Sequence, residues 1–115
     1  MEIRQRSVGP VLCLDLKGRF VLDQEEALKD IVANELSQGR REFVLNLKDV
    51  TAMDTSGLSA MIWVKQTVSG MNGAVKLLHL PSRIRDLLVV TKLVTLFDVI
   101  DGEDDPANLV RAVAS

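Results

Sequence analysis

A short apolar run followed directly by a long amphipathic run constrains this chain more than any other feature. Residues 43–47 (FVLNL) read as a strand that is apolar along nearly its whole length, which is typical of a sheet covered on both faces. A polar connection leads to Asp-Thr-Ser-Gly at 54–57, which begins a helix predicted over about 56–69. Hydroxyl residues at a helix start meet backbone N–H groups without intrahelical partners, so they suit either a cap or a bound phosphate.

The rest of the chain alternates between strand-like and helix-like runs. Strands separated by crossover helices favour a parallel or mixed sheet with right-handed connections, so we expect one α/β domain over residues 1–115. The pattern predicts a hairpin turning at Gly9-Pro10, helices over 23–39, 82–90 and from Asp105 onward, and strands over 74–80 and 96–100.

Local signals predict where the helices begin and end and which side chains they bury. Asp23, with Glu26 three residues later, resembles a capping box, and Gly39 is a plausible C′ stop. On the helix after 54–57, one stripe is expected to face the core: Gly57, Ala60, Met61, Val64, Val68 and Met71. A second, mixed stripe carries Thr55, Leu58, Ser59, Ile62 and Gln66.

Composition narrows the classes of function. The formal net charge of −2 argues against non-specific nucleic-acid binding. A single cysteine, Cys13, permits no internal disulfide and suits a reducing compartment. The first residues have no apolar signal core, and no run approaches the roughly 20 apolar residues of a membrane span. We therefore expect a cytoplasmic protein with no membrane association.

The sequence contains no convincing catalytic motif, so we do not expect an enzyme. Asp-Thr-Ser-Gly at 54–57 superficially resembles an aspartic protease motif, but an extra residue separates the Asp from the Gly and no second copy exists. His79 is the only histidine and lies at a strand end, and Cys13 lies in an apolar strand with no base nearby in sequence. No metal-ligand spacing and no phosphate-binding glycine loop is present, so no metal or cofactor is predicted.

The run LNLKDVTAMDTSGLSAMIW resembles the signature of the STAS domain, in particular that of bacterial anti-sigma factor antagonists. The resemblance extends over most of the chain, including Gly18, Gly70, Gly73 and the KLLHLPSRIRDLL stretch. It implies the STAS fold, a mixed, mostly parallel sheet of four or five strands with about four helices. The rival functions are a STAS subunit of another assembly, such as a stressosome-like or lipid-transport complex, and a small enzyme using Asp54 and Thr55.

The resemblance also implies a mechanism. In this family the unphosphorylated antagonist binds an anti-sigma factor of the histidine-kinase-like ATPase type, and the sigma factor is released. That anti-sigma factor is also a serine/threonine kinase, which phosphorylates the antagonist on the hydroxyl residue after the Asp, and a PP2C-type phosphatase reverses the modification. By position the acceptor is Thr55, with Ser56 as the backup acceptor.

The residues that we predict to bind the partner are Asp54, Ser56, Gly57, Leu58, Ile62 and Asp23. Leu58 and Ile62 are predicted to form the apolar part of the interface, the alternative for Leu58 being a place in the core. The chain departs from the family pattern by having Thr at the acceptor position and Ser59 in place of Gly. Two extra residues also separate Gly18 from Asp23, which leaves open whether Asp23 contacts a partner or only caps the first helix.

Overall fold

The computed structural model describes residues 1–100 and shows an α/β fold with a five-stranded mixed sheet in the order β1-β2-β3-β4-β5. The acidic run from Asp101 and the helix predicted from Asp105 lie outside the described residues. The elements are β1 (Glu2–Val8), β2 (Val11–Phe20), α1 (Glu25–Ser37), β3 (Glu42–Met53), α2 (Thr55–Gly70), β4 (Ala74–Leu78), α3 (Ser82–Val90), a 3-10 turn (Val94–Leu96) and β5 (Asp98–Ile100).

The strand pairing confirms the predicted hairpin and mixed sheet. β1 and β2 are antiparallel, with Val8 opposite Val11, and every other neighbouring pair is parallel. Gly9 has φ +57°, which places a glycine at the first central position of the turn, as type II′ hairpins require. The parallel pairs are joined by α1, α2 and α3, as expected for crossover connections.

One face of the sheet and the three helices enclose the main core. Alternate residues of β2, β3 and β4 contact the apolar faces of the helices because strand side chains alternate between the two faces. The largest fully buried members include Phe20, Phe43, Leu14, Leu28, Leu45, Met61, Leu77 and Leu88. A smaller buried cluster lies on the opposite face of the sheet and comprises Val11, Cys13, Val44 and Leu78.

The two ends of α1 gave opposite outcomes for the sequence prediction. Gly39 is the C′ residue as predicted, with φ +97°, and its N–H donates to the Leu36 carbonyl while the Arg40 N–H donates to the Glu35 carbonyl. The cap predicted at Asp23 is wrong. Asp23 has φ +73° in the turn before the helix, and the helix begins at Glu25, so Gln24 takes the N-cap position, without a side-chain cap bond.

Three other boundaries differ from the sequence prediction. β3 continues well past residue 47 to Met53, because the polar residues after Leu47 still pair with β2. β4 ends at Leu78, and the 3-10 turn replaces the start of the predicted last strand. Met71 lies beyond α2 and is 41% exposed, so its assignment to the core stripe is wrong, whereas the other five members of that stripe are buried.

An ion pair with an added amide contact joins the first three strands. The Arg6 Nε donates to Asp15 Oδ2 at 2.6 Å and Arg6 Nη2 donates to Oδ1 at 2.8 Å, while Asn46 Nδ2 donates to the same Oδ1 at 2.8 Å. Burial works against ionisation of Asp15, but the hydrogen bonds from Arg6 and Asn46 outweigh it and hold the pKa of Asp15 below its ordinary value. The Asp15 carboxylate therefore favours the folded state whenever it is ionised.

This coupling predicts how Asp15 contributes to stability at each pH. The pKa of Asp15 is lower in the folded state than in the unfolded state, where it is about 3.9. The stabilisation by Asp15 is therefore fully present above the unfolded-state pKa and is lost as the pH falls through the folded-state pKa. Asp15→Asn should therefore lower the free energy of unfolding by about 1–3 kcal/mol near neutral pH. Urea unfolding from neutral pH down to about pH 3 should show the gap between the two proteins narrowing. A gap that stays constant with pH would contradict the role assigned to the carboxylate.

Candidate functional site

The start of α2 is held by the carboxylate of Asp54. Its Oδ1 accepts the backbone N–H groups of Ser56 at 2.9 Å and Gly57 at 3.2 Å, which makes Asp54 the N-cap. Its Oδ2 accepts the N–H of Leu22 at 3.1 Å, in the turn between β2 and α1. One side chain therefore satisfies two of the free N–H groups of α2 and fixes the neighbouring turn against it.

The hydroxyl pair that follows Asp54 is presented unequally. Thr55 is the first residue of α2 and is exposed, whereas Ser56 is half-buried and donates its backbone N–H to the cap. The family resemblance implies Thr55 as the acceptor, with Ser56 as the backup. The greater exposure of Thr55 makes its hydroxyl the more accessible of the two.

The structure places the two predicted apolar interface residues differently. Leu58 is only 6% exposed and belongs to the main core, so the prediction that it forms part of a partner-binding surface is wrong. The physical reason is helical geometry, because Leu58 lies one turn from the buried Met61 and faces the same core. Ile62 is half-buried, so part of its side chain remains at the surface.

Asp23 is brought to the same edge of the sheet as Thr55. It lies in the turn closed by the Gln24 N–H donating to the Val21 carbonyl at 3.0 Å, next to the Leu22 amide bound by Asp54. Leu22 is 63% exposed, the second largest value among the large hydrophobic residues that the structure describes. Sequence reasoning missed Leu22, and the only available signal was an apolar residue between a strand and the polar run that begins α1.

Gly57 lets α2 approach the sheet closely. A Cβ at this position would meet the carbonyl oxygen of Phe20 and would lie 2.8 Å from Met53 Cγ. The backbone of Phe20 cannot give way easily, because Phe20 ends β2 and its carbonyl also accepts the Asp54 N–H at 3.4 Å. The glycine is therefore needed for packing at the site, and its backbone N–H serves the cap.

Other candidate groups lie away from this arrangement or have no catalytic character. Burial, reinforced by the negative charge of Asp15, raises the pKa of the Cys13 thiol to about 11, so the thiol is protonated at neutral pH. Within residues 1–100 no cluster of three or more His, Cys, Asp or Glu side chains is arranged to hold a metal ion. In the same part of the chain, no helix has the length and apolar character needed to span a bilayer.

Comparison with known proteins decides the family. The family model of the STAS domain matches residues 2–105, which is most of the chain. The chain belongs to the STAS domain family. A STAS-domain containing protein of Pseudomonas aeruginosa is 23% identical over 91 residues, covering 79% of this chain and 89% of the relative.

Solved structures of other bacterial proteins share this fold. A Thermotoga maritima protein described as a candidate anti-sigma factor antagonist superposes with a TM-score of 0.86 at 18% identity, covering 98% of this chain and 95% of that chain. The antagonist SpoIIAA in its unphosphorylated form gives 0.78 at 16% identity, covering 97% and 100% of the two chains. The phosphorylated form of SpoIIAA, a Bacillus cell fate determinant, gives 0.77 at 16% identity, covering 96% and 99%.

The same fold also occurs in a protein of a transporter family. A sulfate transporter family protein from Wolinella succinogenes gives a TM-score of 0.78 at 16% identity, covering 95% of this chain and 92% of that chain. Its score equals that of unphosphorylated SpoIIAA, so the fold alone does not separate the two contexts.

The tight contact at Gly57 can be tested against a second glycine of the same helix. Gly57→Ala should lower the free energy of unfolding by about 1–3 kcal/mol, because the added Cβ overpacks the contact with Phe20 and Met53. Gly70→Ala is the matched control, since nothing lies within 4 Å of its added Cβ. It should be neutral or stabilising by up to about 1 kcal/mol. Equal effects of the two substitutions in urea unfolding would contradict the packing role of Gly57.

Proposed function

We propose that this STAS domain is an anti-sigma factor antagonist switched by phosphorylation at Thr55. In the proposal the unphosphorylated protein binds an anti-sigma factor that is also a serine/threonine kinase of the histidine-kinase-like ATPase type, and the sigma factor is released. The kinase inactivates the antagonist by phosphorylating Thr55, and a PP2C-type phosphatase restores it. The domain acts by binding and carries out no catalysis itself.

The observation that carries the proposal is the position of Thr55. Its exposed side chain directly follows the Asp54 cap, at the first residue of α2, in a chain that belongs to the STAS family. SpoIIAA, which shares this fold, has been solved in phosphorylated and unphosphorylated forms. Exposure supports Thr55 as the acceptor and demotes Ser56, which is half-buried and bound to the cap through its backbone.

Electrostatics explain how a phosphate there would act as a switch. A phosphate adds about −1.5 to −2 charges at pH 7, and the positive end of the α2 dipole offsets part of the cost. The neighbouring Asp54 carboxylate adds repulsion, and a binding partner would have to desolvate the new charge. The phosphate is therefore expected to weaken binding of the partner rather than to unfold the domain. A loss of about 3 kcal/mol would weaken binding by more than about a hundredfold.

The surface assigned to the partner follows from exposure around Thr55. Leu22 and Asp23 lie in the exposed turn that Asp54 holds beside α2, and Ile62 adds a half-buried apolar side chain further along the helix. We assign these three residues to the partner surface with Thr55. Asp54, Ser56 and Gly57 support it through the cap and the backbone, while Leu58 is replaced by Leu22 as the exposed apolar element.

The decisive experiment combines the protein and ATP with each ATPase-type serine/threonine kinase encoded in the same genome. Mass spectrometry should locate the phosphate on Thr55, and the modified protein should bind its kinase at least about a hundredfold more weakly. Thr55→Ala should abolish modification and retain binding. Ser56→Ala, the matched control, should leave modification in place.

Two results together would contradict the proposal. One is the absence of phosphate incorporation with any of the kinases. The other is unchanged kinase binding by both Thr55→Ala and Thr55→Glu, although the Glu variant carries one charge where the phosphate carries about two.

A second candidate is a STAS subunit of another assembly, such as a stressosome-like or lipid-transport complex. This candidate is supported by the Wolinella sulfate transporter family protein, whose TM-score equals that of unphosphorylated SpoIIAA. In that case a partner would bind the domain without regard to phosphorylation of Thr55. The kinase experiment separates the two functions, because only the antagonist couples loss of binding to modification.

A further inference from the structure

A groove between the end of β3 and the first turns of α3 is not used by the switch itself. It encloses about 220 Å³ and is lined by Ala52, Met53, Arg83, Ile84 and Leu87. Sites for drug-sized ligands usually enclose about 300–1,000 Å³. The groove is therefore suited to one amino-acid side chain rather than to a nucleotide or a metabolite.

The strand that borders the groove has a free edge. β3 pairs with β4 only as far as Asn46 opposite Leu78, whereas its pairing with β2 continues to Met53. Over residues 1–100, the backbone from 47 to 53 therefore forms strand pairs on the β2 side only. The Lys48 N–H donates to Asn46 Oδ1 at 3.1 Å. The other N–H and C=O groups on this side of the strand can be offered to an extended segment of another chain.

Arg83 gives the groove a positive charge. It lies in the first turn of α3, where there is no acidic residue, and it is exposed. Within the described residues it makes no ion pair. A cation in the first turn opposes the helix dipole, so the dipole does not stabilise Arg83 at this position. A carboxylate supplied by a partner would complement it.

We propose that this groove binds an extended segment of a protein partner that inserts one large apolar side chain between Met53 and Leu87 and places a carboxylate beside Arg83. The free edge of β3 supplies the hydrogen bonds to the backbone of that segment. Met53 is followed directly by Asp54 and Thr55, so the groove lies next along the chain to the residue proposed as the switch. The inference rests on the proposed function in taking this surface to be a protein-binding one.

The test uses random linear peptides displayed on phage and selected on the purified domain. The enriched peptides should share an apolar residue next to an acidic residue. In fluorescence polarisation, Arg83→Glu should weaken binding of a selected peptide by about tenfold or more, as should Ala52→Leu, which fills the groove. Arg85→Glu is the matched control, because Arg85 is exposed on the same helix but does not line the groove. It should change the affinity by less than about twofold.

Amide hydrogen exchange provides a second readout that does not depend on a substitution. Binding of the selected peptide should slow the exchange of amides between residues 47 and 53. The proposal is overturned if no peptide is enriched, if the two Arg→Glu variants weaken binding equally, or if protection appears only elsewhere. No kinase takes part in this test, so a negative result would not contradict phosphorylation of Thr55. Likewise, a negative result in the kinase experiment would not contradict peptide binding in this groove.

Discussion

The Asp54 carboxylate is the interaction on which the site depends. It accepts three backbone N–H groups, two from the first turn of α2 and one from Leu22. An N-cap of this kind contributes about 1 kcal/mol to helix stability. Its larger consequence is geometric, because it joins the turn after β2 to the start of α2 and so gathers Asp23, Leu22 and Thr55 at one edge of the sheet. Gly57 completes the arrangement by letting α2 lie against the end of β2.

Under the proposed function, the residues that stabilise the site differ from the residue that would be modified. The residues that hold the fold at the site are Asp54, through its cap bonds, and Gly57 and Leu58, through close packing. Thr55 stands outside these contacts and is exposed. Since Asp54 already occupies the N–H groups of Ser56 and Gly57, a phosphate on Thr55 would lie beside the cap and not replace it. In this account, the modification changes the charge of a surface while the contacts that maintain the domain remain.

Much of the fold and the start of α2 could be predicted from the sequence, because these features depend on local chemistry. The hairpin at Gly9-Pro10, the stop at Gly39 and the polar start of α2 each depend on a few neighbouring residues. The failures involve tertiary contacts. Leu58 lies on the mixed stripe in sequence, yet the sheet covers it. The cap predicted at Asp23 was lost because the β2–α1 turn requires a left-handed backbone there. The exposure of Leu22 had only a weak local signal, and the groove at Arg83 depends on elements distant in sequence, so no local pattern could reveal the groove.

We propose that phosphate on Thr55 alters the binding surface without altering the fold. The most direct measurement compares the unmodified domain with one carrying phosphothreonine at 55, introduced during synthesis, by thermal unfolding and by amide NMR spectra. The account predicts a change in Tm of less than about 4 °C, equivalent to less than about 1 kcal/mol. It also predicts shift changes confined to the β2–α1 turn and the first turns of α2. Shift changes spread across the sheet, or a large loss of Tm, would contradict it.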